Sequence, residues 1–439
     1  MTTHHETVTD TPAAAMPEAG RRSAMPFIMA TVLIDMLAIG IIIPVLPTLV
    51  GRFVSTPADQ AWWYGAVTVA FALAQFVSAP ILGALSDRYG RRPVLLLGLF
   101  ALAVNFFATA LATELWMLVA VRVFGGAMYA NIAVANAYVA DVTPPQHRAR
   151  NFGLLGAMFG VGFILGPVTG GLLGARDIHL PFFVAGALAL INCAYGWLVL
   201  PESLPRERRR AFRLAAANPL SALRRLAELK SVGLLLGVIA LTSLAQFTLH
   251  TSWLLYTQFK FGWDAEANGW SLFAVGLMAA IVQGGLLRMM HKHIRLQRLA
   301  LIGLVSSTLA FAAWGAATEG WMMYAVIVAN LFGFATQPVI QSMISNAVDA
   351  RSQGSSMGAV ASINSISAVL GPLLSAPLLA SVATLPRTDW RLGLPFYFCA
   401  LLQATAALVA ALHFRRLHQH HSPISPAAAA SNSKTETAA

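Results

Sequence analysis

Apolar residues run through this chain in uninterrupted blocks of about twenty, each closed by a short polar stretch, with no alternation and no single wet face. A helix needs about 20 apolar residues to cross hydrocarbon. Blocks of that size lie near 26–50, 64–85, 93–112, 115–140, 152–173 and 180–200. After a break they resume near 232–256, 268–287, 299–317, 321–347, 356–383 and 392–413. The blocks near 93–112 and 115–140 are separated by almost nothing. The pattern predicts an all-α membrane protein with 12 transmembrane helices, numbered here spans 1 to 12. They fall into two pseudo-symmetric six-helix bundles, 26–200 and 232–414, joined by a basic cytoplasmic linker, 201–231. Disordered cytoplasmic tails are expected at 1–25 and 415–439. The first tail lacks the apolar core of a signal peptide, so no cleavage is expected.

An internal repeat supports the two halves. Ala112-Thr113-Glu114-Leu115-Trp116-Met117 matches Ala317-Thr318-Glu319-Gly320-Trp321-Met322 at an offset of 205. Leu165-Gly166-Pro167 recurs as Leu370-Gly371-Pro372, and Gly153 as Gly358, at the same offset. Trp, Pro and Glu are poor candidates for coincidence in apolar sequence. Parallel six-helix repeats are a recurring transporter plan, with the substrate between them near the midplane.

Composition and charge sharpen this picture. The chain is 57% apolar and 11% charged, whereas a soluble domain carries about 25% charged residues. Such a chain cannot cover a water-facing surface. Its net charge of +11 does not point to nucleic acid, because the basic residues gather on one side of the predicted spans. With the N-terminus inside, 23 of the 29 Lys and Arg fall in cytoplasmic segments, as the positive-inside rule requires. Both termini are therefore expected in the cytoplasm. The linker reads as a solvated basic segment, with an amphipathic helix on phospholipid as the alternative. Two cysteines, Cys193 and Cys399, lie inside apolar blocks, which excludes a disulfide framework or a Cys-based metal site.

Within the spans ionisable groups are scarce. Of 18 acids only Asp35 sits well inside one, and of the bases only Arg122. A charge at the bilayer centre costs at least about 2.5–3.5 kcal/mol, so both are functional candidates. At 1.5 Å per residue they lie roughly 14 and 18 Å from the cytoplasmic face. They could pair, or compete for a proton and substrate; a purely structural ion pair is the alternative. His250, near the outer end of span 7, titrates near neutrality and either relays protons or lines a wet cavity. Gln75, Asn105, Asn131, Asn136, Gln246, Gln283, Asn330, Gln337 and Asn364 also fall within spans. Such amides either touch substrate or hold helices together.

Two motifs carry a family resemblance. The loop Gly83-Ala84-Leu85-Ser86-Asp87-Arg88-Tyr89-Gly90-Arg91-Arg92-Pro93 resembles the signature loop of the major facilitator superfamily. Gly83 permits close packing and Gly90 a tight turn, and Asp87 is expected near a helix N-terminus. Arg91 is placed to reach Asp141 at the cytoplasmic end of span 4, forming a latch that breaks as the halves rock. In span 5, Gly162-Phe163-Ile164-Leu165-Gly166-Pro167-Val168-Thr169-Gly170-Gly171 resembles the pattern found in the antiporters of that superfamily. Small residues four apart allow close helix approach, and Pro167 can bend the helix.

The likeness narrows at Leu33-Ile34-Asp35 through Pro44-Val45-Leu46-Pro47, at Arg88 through Leu97 and at Phe261-Gly262-Trp263, which resemble the tetracycline/proton antiporters over most of 26–414. Carried over, the span 1 acid is Asp35, the span 2 glutamine Gln75, the span 4 arginine Arg122 and the span 8 glutamine Gln283. Asn105 and Ser307 stand where those antiporters carry acids in spans 3 and 9, and Ala279 where they carry a span 8 histidine. The resemblance then implies a proton-coupled exporter of small amphipathic compounds in which Asp35 acts alone, helped by His250. Import of a sugar, organic acid or peptide by symport on the same fold is the alternative, against which the span 5 pattern argues. No phosphate-binding loop, His-Glu-x-x-His pair or Gly-x-Ser-x-Gly turn is found, so an enzyme or ATP-driven pump is not expected. No cofactor or metal is expected; the partners are lipid, protons and a small molecule, and the protein is expected to be a monomer. Only four lysines accompany the arginines, a bias pointing to a GC-rich bacterial genome and an inner membrane.

Overall fold

The computed structural model describes residues 18–129, 131–209, 211, 233–349 and 353–420. Every regular element among them is helical. Eleven helices are long and apolar enough to cross a bilayer: Met25–Gly51, Pro57–Tyr89, Arg91–Ala110, Leu115–Val142, Arg150–Arg176, Leu180–Val199, Gly233–Phe261, Ala265–His293, Leu296–Ala316, Ser356–Ala380 and Trp390–Arg416. The remaining span, span 10, is a bent pair, Gly320–Ala329 and Gly333–Asn346, at 56°. These are the twelve predicted blocks, and the doubtful boundary between spans 3 and 4 falls at 111–114. Most of the linker, 210 and 212–231, and the tail segments 1–17 and 421–439 lie outside the described residues. Both tails are shorter than the sequence suggests, since the first helix begins at Glu18 and the last runs to His420. No Gly or Pro follows His413 to stop it before Pro423.

The packing obeys a pseudo-two-fold. In the first half span 1 packs on spans 5 and 6, span 2 on span 4, and span 3 on spans 4 and 6. In the second half span 7 packs on 11 and 12, span 8 on 10, and span 9 on 10 and 12. Between halves, span 5 meets span 8 and span 2 meets span 11, a set that maps onto itself when the halves exchange. The sequence repeat takes the same form twice. Glu114 and Glu319 are extended residues before spans 4 and 10, and Thr113 and Thr318 each place a hydroxyl 3.6 Å from Met117 and Met322 sulfur. Trp116 and Trp321 are 68% and 65% exposed. Like Trp62 and Trp390, also exposed, they stand at the starts of even-numbered spans and so at one end of the bundle, where indoles favour the headgroup zone.

Hydrocarbon offers no hydrophobic drive for helix pairing, so the pairs rely on close backbone approach. Span 5 supplies it. A Cβ on Gly162 would stand 2.8 Å from the Leu33 carbonyl oxygen, one on Gly166 2.6 Å from Gly40 Cα, and one on Gly170 would strike the Ile41 carbonyl. Its next face meets span 8: a Cβ on Gly171 would lie 2.5 Å from Ala265 O, and one on Gly269 2.5 Å from Pro167 O. Span 5 is therefore wedged between its own half and the other.

Replacing Gly170 with Val puts a branched side chain against backbone that cannot yield. The expected result is a loss of about 1–3 kcal/mol, read as a lower melting temperature of the solubilised protein. Gly160→Ala, at a site with no atom of the described residues within 4 Å of the added carbon, is expected to leave that temperature unchanged.

Candidate functional site

Asp35 lies in span 1, 3% exposed, and among the described residues it is the only acid more than a turn from a span end. Its Oδ1 accepts a 3.3 Å hydrogen bond from Asn131 Nδ2. Asn131 is available because span 4 is interrupted: the helix Leu115–Met128 ends at Tyr129 (φ −87°, ψ 89°) and helix resumes at Asn131. Gly98 of span 3 makes room, since a Cβ there would collide with the Asn131 amide.

Arg122 does not pair with Asp35; no ion pair within 4.0 Å joins them. Depth along a helix fixes height but not direction, and at 3.6 residues per turn the two point differently. Arg122, 8% exposed, lies over the Phe71 ring at 6.0 Å. Its Nε and Nη2 have no hydrogen-bond partner among the described residues. Phe71 in turn packs on Tyr129 at 5.9 Å, so aromatic contacts run from the guanidinium to the residue at which span 4 is interrupted.

The second half repeats this joint without the acid. Gly303 of span 9 makes room for Thr336 of span 10, the counterparts of Gly98 and Asn131 at the offset of 205. Span 10 breaks there. Asn330 caps the broken helix end, accepts a 3.0 Å bond from Ser306 and lies against Gly333. Ala240 occupies the position of Asp35.

The other candidates scatter. Asn105 is fully buried, with both side-chain polar atoms unpartnered among the described residues and its amide against Gly125. Of the two readings open for it, contact with substrate or packing, its burial against Gly125 favours packing between spans 3 and 4 over a place in the cavity. Asn364 accepts a 2.6 Å bond from Ser243, tying span 11 to span 7. Gln75, Gln246 and Gln337 are half-buried, and His250, Asn136 and Gln283 are exposed. Gln283 sits in a wide turn of π-helix, Val282–Leu286, a distortion that often marks functional positions.

At the end bearing 83–93, Arg91 gathers three partners. Its Nη1 lies 2.6 Å from Asp87 and 2.6 Å from Ser86 Oγ, and its Nε 3.1 Å from Asp141. Asp87 belongs to the last turn of span 2, not to a helix N-terminus. The carboxylate at the N-terminus of span 3 is Glu202, which accepts from Arg91 N at 2.8 Å and Arg92 N at 3.3 Å. Sequence reading missed Glu202 because it is 111 residues away; Gly90, at φ 110°, was the one local sign of a crowded turn. Gly83 has open space around it and Arg88 lies over its neighbour Tyr89 at 5.1 Å.

The halves touch at the opposite end. Gly65 meets Ala376, Ile164 meets Gly276, and Gln60 Nε2 reaches Gln258 Oε1 at 3.5 Å. A vestibule of about 800 Å³, lined by Arg52, Gln60, Gln258, Asp264 and Arg387, opens outside this contact. Toward the Arg91 end the same helices part: Gly83, Gly156, Gly160, Gly284 and Gly358 have no atom of the described residues within 4 Å of an added Cβ.

Two pseudo-symmetric six-helix bundles, closed at one end and parted at the other around a buried carboxylate, define a multi-pass membrane protein of the alternating-access transporter class. The chain belongs to the Major Facilitator Superfamily, whose model matches residues 28–372. It is 36% identical over 380 residues to the class C tetracycline resistance protein of Escherichia coli, covering 86% of this chain and 96% of that one. It is 34% identical over 393 residues to the class D tetracycline resistance protein of Salmonella ordonez, covering 88% and 99%. Among solved structures, a bacterial homolog of the human lysosomal transporter Spinster in an inward-facing, unoccupied conformation superposes with TM-score 0.72 at 16% identity, covering 94% of this chain and 100% of that one.

An unpartnered buried amide gains nothing from its polarity, and an apolar side chain of like shape is neutral or stabilising there. Asn105→Leu is accordingly expected to keep melting temperature and transport at or above the wild-type level, measured on purified protein and in vesicles. A marked loss of transport in a well-folded variant would instead return Asn105 to the cavity.

Proposed function

We propose that this protein is a proton-coupled secondary transporter that exports small amphipathic organic compounds, tetracycline among them, by alternating access. The observation that carries the reading is Asp35: one carboxylate deep in span 1, buried, and held among the described residues by one side-chain amide at the interruption of span 4. Ionisable groups at such depth are conserved for ion and proton pathways rather than for stability. The span 5 antiporter pattern and the 31–36% identity to tetracycline resistance proteins support export over import.

In this reading the basic end faces the cytoplasm, both termini lie there, and the structure is the inward-open state. Substrate enters from the cytoplasm or inner leaflet and settles between the halves at the level of the two broken spans. Asp35 carries the proton or answers the substrate, not both, and that exclusion makes the movement an exchange. Arg122, with two N–H donors free of described acceptors, is available to an acceptor on the substrate, since a buried donor rarely stays unanswered. Asn131 and Asn330, each beside a helix break, reorient as the halves rock. His250, expected near the outer end of span 7, lies well inside it because that span runs on to Phe261. It serves as a relay within the cavity that Gln75, Asn136, Gln246, Gln283 and Gln337 shape. The Asp87–Arg91–Asp141 cluster sits at the inner gate. The protein works as a monomer in the inner membrane of a bacterium, without cofactor or metal.

Asp35→Asn keeps shape and a hydrogen-bond partner for Asn131 while removing the exchangeable proton. In everted vesicles it is expected to abolish pH-gradient-driven tetracycline uptake with normal amounts of protein in the membrane. Undiminished uptake in that variant rejects the coupling role.

A further inference from the structure

The first residues of the linker are stitched to the inner gate. Glu202, three residues beyond the end of span 6 at Val199, caps the start of span 3 as described, and its Oε1 also accepts from Leu204 N at 3.0 Å. Arg209 Nη2 stands 3.9 Å from its other oxygen. A Cβ on Gly90 would collide with this carboxylate, so the turn at Gly90 is shaped around it. On either side, Tyr138 OH donates to Pro201 O at 3.0 Å and Ser203 Oγ to Asp141 Oδ2 at 3.3 Å. The segment 201–204 thus bonds to the end of span 4 and to the start of span 3 at once.

The consequence falls on Arg91. Its guanidinium is held by Asp87 and Asp141, and its backbone N–H by Glu202. The first turn of any helix has N–H groups with no partner inside the helix, and a carboxylate there also faces the positive end of the helix dipole. No side-chain cap comes from Gly90 itself. Glu202 supplies what the local sequence lacks. We infer that Glu202 is a positioning residue for transport: it clasps the linker to the start of span 3 and sets the place from which Arg91 makes and breaks its gate contacts. This rests on the reading of the chain as a transporter with its inner gate at Arg91. Because Glu202 lies at the end of the bundle, away from Asp35 and the broken spans, the clasp governs the rate of the conformational cycle and not the affinity for substrate.

The test compares full-length wild type with Glu202→Gln and Glu202→Asp in proteoliposomes, using tetracycline as probe, with rates expressed per folded transporter. Amide hydrogen exchange at Arg91 and Arg92 is followed in the same preparations. Glu202→Gln is expected to lower the maximal rate about tenfold, leave KM within about twofold and speed exchange at those two amides about tenfold, the scale of one lost charge-assisted hydrogen bond. Glu202→Asp, which retains the charge, is expected to recover most of both. If Glu202→Gln does not accumulate, the Asp variant, one methylene shorter, gives the same comparison at smaller amplitude. Unchanged exchange at Arg91 and Arg92, an unchanged maximal rate, or a loss that appears as a raised KM each overturns the clasp. If wild type moves no tetracycline, the substrate reading fails, and the exchange measurement alone decides whether Glu202 holds span 3.

Discussion

A carboxylate inside hydrocarbon must be answered by something, and how Asp35 is answered determines much of what surrounds it. Among the described residues one donor, the Asn131 amide, reaches it. That amide is placed by an interruption in span 4 and fits only because Gly98 leaves the space. A single neutral hydrogen bond is a weak hold on a charge. A fully matched ion pair would fix the group in one state, and burying it alone would be too costly to persist. A weakly answered carboxylate can change partners, as an exchange cycle requires.

The two halves share an architecture and divide the work. Each has a glycine in its third helix facing a broken fourth helix, Gly98 with Asn131 and Gly303 with Thr336. Only the first half carries the acid; the second has Ala240 there. The second instead has the sharper break, 56° in span 10, held by Ser306 and Asn330. Duplication supplied two such joints, and only one of them carries a carboxylate. Span 5 ties them together, its glycines pressed on span 1 and, one face round, on span 8, so movement of one half is felt by the other through a backbone contact with little give.

Much of this could be read from sequence. Twelve apolar blocks located all the spans, because a bilayer imposes a length that composition must meet. They did not locate the edges: span 2 starts at Pro57 rather than 64, and spans 7 and 8 run on to Phe261 and His293. The repeat was visible through Trp116 and Trp321, whose indoles face the interface rather than the core. Arg91 and Asp141 were matched because one lies in a motif and the other at a span end. The errors have a common physical origin. Asp35 and Arg122 lie at similar depth, but a pattern of spans gives no rotation about the helix axis, and Arg122 turns toward Phe71. Asn105 looked like a cavity residue because amides in membrane helices serve both binding and packing; only its burial against Gly125 separates the two. Asp87 was expected near a helix N-terminus, but the carboxylate at the start of span 3 is Glu202, and a cap supplied from 111 residues away leaves no local trace beyond the glycine that accommodates it.

The central claim is that proton and substrate compete for one buried carboxylate. Its most direct test is to add tetracycline to purified transporter in weakly buffered detergent solution at neutral pH and to follow protons with an indicator dye while binding is measured in the same cuvette. Mutual exclusion requires the two bindings to be reciprocally linked, so the account predicts release of protons that saturates along the binding curve and approaches about one per site as the starting pH is lowered. Saturable binding with no proton release at any starting pH would contradict it.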